Sequence, residues 1–169
     1  MDTLALDYLL RLAALAIAFV AFATIVVTLQ RGLGGDLSAL HMFLVRNYIE
    51  IQLSVAVLAL LPSLLNLFAL PSTLIWRVSS AVVGTLAPAV LVSFIRRRAR
   101  VGRYPTPTRE YVVWALSLVA VAGLWLNVAG VGLWPSGGPY AVALTWFLFS
   151  TGFVFLRGLG ELLYSFSDQ

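Results

Sequence analysis

Three polar side chains share one face of a long apolar segment. Asn47, Glu50 and Ser54 are separated by three and four residues, which places them on one side of a helix. A carboxylate within membrane hydrocarbon is costly and marks a functional site, typically a path for ions or polar solutes. The spacing therefore predicts that this face lines an aqueous route. An alternative stays open, in which Glu50 lies only at the membrane interface and pairs with Arg46, four residues earlier.

Two residues of the next apolar segment are candidates for the same route. Arg77 either extends outward to the membrane surface or faces the other helices beside two serines. Pro88 is expected to kink its helix and to free a backbone carbonyl, and a path can open at such a kink, although many such prolines are structural. The candidates for a polar path are thus Asn47, Glu50, Ser54, Arg77 and Pro88.

Basic side chains are concentrated in residues 96–109, which hold six of the eleven arginines of a chain without lysine. Such a segment must lie in water and, by the positive-inside rule, on the cytoplasmic side. Each basic residue near a membrane surface adds roughly 1 kcal/mol of attraction to anionic lipids. We therefore expect contacts to anionic headgroups or to an acidic partner from Arg96, Arg97, Arg98, Arg100 and Arg103.

Residue types that commonly perform catalysis or bind metals are sparse. The chain has no cysteine, its single histidine is His41, and its acidic residues are scattered rather than paired. Thiol chemistry, multi-histidine metal sites and a buried serine–histidine dyad therefore have no residues to build them. We expect no enzymatic activity, no cofactor and no metal. The net charge of +4 comes from the arginine segment, so no nucleic-acid partner is expected.

The composition indicates that lipid surrounds most of the chain. Hydrophobic residues make up 61 % and charged residues 11 %, against about 25 % charged in soluble proteins. The apolar runs have the length needed to cross roughly 30 Å of hydrocarbon. We predict an all-α, polytopic transmembrane helix bundle. It forms one domain over residues 1–169, with spans near 12–29, 44–65, 72–95, 111–133 and 141–157.

Small and polar residues indicate where these helices pack together. Ala14, Ala18 and Ala21 recur at helical spacing and predict the close-packing face of the first helix. Trp125 and Asn127 lie near the middle of the fourth span, where buried polar groups need partners. We expect both to bond to another helix.

The charge distribution predicts the orientation. Asp2 and Asp7, with only Arg11 nearby, differ from the basic start of a secretory signal, so we expect an uncleaved N-terminus outside the cell. Five spans then place the C-terminus in the cytoplasm. A composition rich in alanine and leucine, with arginine as the only strong base, favours a bacterium with GC-rich codons. The expected location is its inner (cytoplasmic) membrane.

These features lead to two main hypotheses about function. The first is a homo-oligomeric pore or passive permeation path for ions or small solutes, lined by the polar face. The second is an accessory or structural subunit of a larger membrane protein complex, favoured by the small size and the lack of catalytic groups. A lipid-responsive module built on the arginine segment ranks after both.

Overall fold

The computed structural model describes residues 3–32, 39–101, 108–131 and 135–167, and these residues form helices and turns without any strand. Each helix contains a stretch long and apolar enough to cross a membrane. The prediction of an all-helical chain with several candidate spans is therefore confirmed. The helices are α1 (Thr3–Gly32), α2 (Ala39–Asn66), α3 (Ser72–Val101), α4 (Thr108–Ala129) and α5 (Gly137–Ser167).

Four of the helices form a ring. In the described part of the chain α2 contacts α3, α3 contacts α4, α4 contacts α5, and α5 contacts α2. Helices α3 and α5 also contact each other, through Trp76 and Tyr140. No described residue of α2 has its Cα within 8 Å of one in α4, so these two helices face each other across the ring. Helix α1 packs outside the ring, against α2 and α5.

The two ends of the bundle differ in charge. The turn between α2 and α3, the C-terminus of α4 and the start of α5 lie at one end, called here the turn end, together with the start of α1. The C-terminal part of α3, with its arginines, lies at the opposite end, called here the arginine end. Helices α1, α2, α3 and α5 contain 28 to 31 residues. At 1.5 Å per residue they are longer than the roughly 30 Å thickness of a bilayer's hydrocarbon layer.

The packing face of α1 differs from the predicted one. Ala14, Ala18 and Ala21 are exposed, whereas Ala13 and Ala16 are buried against α2 and α5 with Leu9 and Leu12. The sequence prediction was wrong because α1 is apolar on every side, so spacing alone does not select the face that meets its neighbours. The small-residue contact itself is present, since the buried alanines let the backbones approach closely.

Asn127 links three parts of the chain at the turn end by hydrogen bonds. Its side-chain Nδ2 donates to Ser80 Oγ of α3 at 2.9 Å and to the carbonyl of Ser136 at 3.1 Å, and its Oδ1 accepts from the Ser136 backbone N–H at 3.1 Å. This agrees with the expected bond to another helix. Trp125 is instead exposed on its outer side, and its indole covers Gly84, where an added Cβ would lie 3.2 Å from Nε1.

Candidate binding cavity and its charged mouth

A cavity of about 280 Å³ occupies the ring and is lined by α2, α3, α4 and α5. It extends along α3 from Val83 to Phe94, a length of roughly 16 Å at 1.5 Å per residue. The arrangement of the helices explains the cavity. Because α2 and α4 do not contact each other, side chains from the surrounding helices leave part of the space between them empty. Most of those side chains are aliphatic or aromatic, as Leu91, Val121 and Leu144 illustrate.

The cavity opens sideways between α2 and α3. Four of its lining side chains are also exposed: Ser54 of α2, Leu86 and Val90 of α3, and Leu118 of α4. Three of the four thus lie on the side of α2 and α3. In a bilayer this opening faces lipid rather than water.

Only part of the predicted polar face lines this cavity. Asn47 and Ser54 do so, and Glu50 lies between them on α2 but is not part of the lining. The Ser54 hydroxyl donates to the Glu50 backbone carbonyl at 2.8 Å. The structure thus brings two of the three residues to one wall and places the carboxylate beside the opening.

Of the other two candidates, Pro88 lines the cavity and Arg77 does not. Pro88 has no N–H, so the carbonyl of Gly84 loses its helical donor near the cavity wall. Arg77 is exposed at the turn end. Its guanidinium lies beside Gly130, where an added Cβ would lie 3.0 Å from Nη2. A cation at this place complements the dipole at the C-terminus of α4.

Glu50 is shared by two arginines. Its Oε1 accepts from Arg46 Nε at 2.8 Å, and its Oε2 accepts from Arg97 Nη1 at 2.8 Å. The first pair is the i,i+4 interaction that the sequence offered as an alternative. The second pair joins α2 to α3 at the edge of the side opening. The Glu50 side chain remains 42 % exposed, which is compatible with an interfacial position.

A second ion pair joins α3 to α4. Arg98 donates to Glu110, which also lines the cavity, and their side chains are only 13 % and 20 % exposed. Consecutive arginines of α3 therefore bind to the two helices that face each other across the ring. We call the five residues of both ion-pair groups the charged mouth: Arg46, Glu50, Arg97, Arg98 and Glu110.

The remaining predicted arginine contacts have different places. Arg96 and Arg100 are exposed at the end of α3, and Arg103 lies outside the described residues. Within the described ranges, no three His, Cys, Asp or Glu side chains converge in a way that could hold a metal ion.

Sequence reasoning did not single out Gln52, which is fully buried between α2 and α5. Its Nε2 donates to the Leu148 carbonyl at 3.0 Å and to Thr151 Oγ1 at 2.8 Å. Gln52 lies five residues after Asn47 and so on another side of α2. A buried amide in an apolar helix needs partners, and that requirement was the available signal for a contact between helices.

No protein-family description, no curated protein and no solved structure matches the chain.

Proposed function

We propose that the protein crosses the bacterial inner membrane five times, with the N-terminus outside and the arginine end in the cytoplasm. The described arginine end carries Arg96, Arg97, Arg98 and Arg100 within little more than one turn of α3. At the turn end Arg11 is neutralised by Asp7, with 3.0 Å between Nη2 and Oδ2, so Arg77 is the cation there without a described ion pair. This asymmetry supports the orientation through the positive-inside rule.

Within that topology, we propose that the protein binds an apolar or amphiphilic molecule that enters its ring from the bilayer. The carrying observation is the cavity, which is lined mainly by hydrocarbon and opens between α2 and α3. Binding sites of small molecules have this character, with apolar walls and a few polar groups. Transfer of a hydrocarbon chain from lipid into the ring changes its surroundings little. Selectivity would then come from shape and from the polar groups.

The hydrogen bonds of the polar lining residues support a cavity that holds an apolar molecule rather than water. The hydroxyls of Ser117, Ser150 and Thr151 donate to carbonyls of their own helices, at 2.8, 3.3 and 2.8 Å. Ser117 also accepts from Trp146 Nε1 at 3.0 Å. Hydroxyls bonded in this way offer little to a column of water. The cavity wall is thus less polar than its residue types suggest.

The test is binding of a fluorescent long-chain probe to the purified protein in neutral detergent or nanodiscs. Ala87 lines the cavity, whereas Ala89, two residues later on the same helix, is exposed and not part of the lining. Ala87→Phe should fill the space and weaken binding about tenfold, because overpacking costs about 1–3 kcal/mol. Ala89→Phe is the matched control and should leave binding unchanged. Equal binding by both variants and the wild type would refute the cavity as the site.

A permeation path is a second candidate. The observation that favours it is that Asn47, Ser54 and Pro88 line one cavity, with Glu50 at its edge. Ion or solute flux into liposomes tests it. Flux that Ala87→Phe blocks, that Glu50→Leu alters and that Ala89→Phe leaves intact would establish the path. No flux above protein-free liposomes would reject it.

A further inference from the structure

The arginine end carries more positive than negative charge. Among the residues whose side chains the structure describes, five arginines lie there, and two glutamates pair with three of them. Glu50 alone serves two guanidiniums, Arg46 and Arg97, so its single negative charge leaves one positive charge uncompensated. Arg96 and Arg100 add exposed charge on the same helix. This surplus is complementary to an anion.

Aromatic rings surround the same end of the cavity. Phe94 stacks on Phe43 with ring centroids 5.5 Å apart, and Trp114 contacts Tyr111 edge-on at 5.4 Å. Phe94 and Trp114 also line the cavity. Tryptophan and tyrosine favour the headgroup level of a membrane. The charged mouth therefore lies where the polar head of a molecule in the cavity would emerge.

We infer that the occupant is a single-chain anionic amphiphile, with its chain in the cavity and its carboxylate or phosphate head on Arg97 and Arg98. This inference rests on the function proposed above and adds the chemical class of the ligand. A volume of about 280 Å³ lies just below the usual range of small-molecule sites, roughly 300–1,000 Å³, and suits one chain better than two. Guanidinium groups bind carboxylate and phosphate oxygens with charge-assisted hydrogen bonds.

The head must compete with the two glutamates. Arg97 is bonded to Glu50 and Arg98 to Glu110, so an incoming acid takes one or both guanidiniums from their carboxylates. The Glu50 pair is the easier one to exchange, because both of its side chains are 42–49 % exposed and Arg46 can keep Glu50 neutralised. The glutamates and the ligand head therefore compete for the same guanidinium groups, so removing a glutamate should favour binding of the ligand.

This competition predicts that removing an arginine and removing a glutamate change the ligand affinity in opposite directions. Arg97→Gln should weaken binding of palmitate and of hexadecyl phosphate roughly fivefold, the equivalent of one basic group near a membrane surface. Glu50→Gln should strengthen binding of both, because Arg97 is then free to bind the head. Arg77→Gln removes the same charge at the far end of α3 and should have no effect. A role of Arg97 and Glu50 in stability alone would weaken binding in both variants.

The headgroup series completes the test, with each compound displacing the fluorescent probe from wild-type protein. Palmitate and hexadecyl phosphate should compete at least fivefold better than hexadecanol. A diacyl anionic phospholipid carries the same anionic chemistry on two acyl chains, and inorganic phosphate carries it on none. Both should compete poorly. Equal competition by hexadecanol would overturn the anionic class while leaving the proposed cavity function intact. If inorganic phosphate competed and the long-chain compounds did not, the inference that the ligand is an amphiphile would be overturned.

A probe that binds wild type and Ala87→Phe equally would instead refute the cavity site on which the inference rests. The two failures are therefore distinguishable.

Discussion

The Tyr140 hydroxyl of α5 donates a hydrogen bond of 2.6 Å to the backbone carbonyl of Leu58 in α2. Pro62 stands four residues after Leu58 inside the same helix and has no N–H to donate. Tyr140 thus supplies the donor that the proline removes, and its ring is completely buried. Helix α2 accordingly continues through Pro62 to Asn66.

Tyr140→Phe is expected to destabilise the protein by about 1–3 kcal/mol, because it leaves the partly buried Leu58 carbonyl without a donor. Pro62→Ala restores the N–H that bonds to this carbonyl within the helix. In a Pro62→Ala background the same Tyr140→Phe change should therefore cost clearly less. A double-mutant cycle of unfolding free energies in mixed micelles measures the difference. Additive effects would show that the two residues do not share the carbonyl.

Gly137→Ala is expected to lower stability by about 1–3 kcal/mol through overpacking. A Cβ at this first residue of α5 would lie 2.5 Å from Ala5 Cβ of α1 and 2.9 Å from Trp76 Cζ2 of α3. Gly152 in the same helix is the control, since a Cβ there meets nothing within 4 Å. Gly152→Ala should be neutral or stabilising by up to about 1 kcal/mol. Thermal unfolding in detergent compares them, and equal midpoints would contradict the close packing.

Asn127→Ala should cost about 1–3 kcal/mol, because it removes three hydrogen bonds that link α4 to α3 and to the residue before α5. Proteolysis of the turn end in detergent should also become faster. Asn66→Ala changes the same side chain at an exposed position and should stay within about 0.5 kcal/mol of wild type. If both variants unfold alike, the Asn127 bonds contribute nothing to stability.

The proposed orientation is testable by thiol labelling, because the chain has no cysteine of its own. Leu67, 80 % exposed at the turn end, and Arg100, exposed at the arginine end, are suitable positions. A membrane-impermeant maleimide should label Leu67→Cys in intact spheroplasts and Arg100→Cys only after permeabilisation. The reverse pattern would place the arginine end outside.

Much of the fold is readable from local composition, since a helix that crosses hydrocarbon must be long and apolar and this requirement is written residue by residue. The i,i+4 spacing likewise offered the pair of Glu50 with Arg46 as an alternative, because both partners belong to one helix. The charges at the arginine end also needed no tertiary information.

The sequence by itself therefore determined that the chain is helical, that it suits a membrane, and where its charges concentrate. Only the tertiary structure decided that α1 packs through Ala13 and Ala16, that Glu50 also binds Arg97, and that α2 to α5 enclose a cavity. The physical reason is that an apolar helix has no polar side to mark its outer face in lipid. Its neighbours are selected by shape and by bonds to residues far away in the chain.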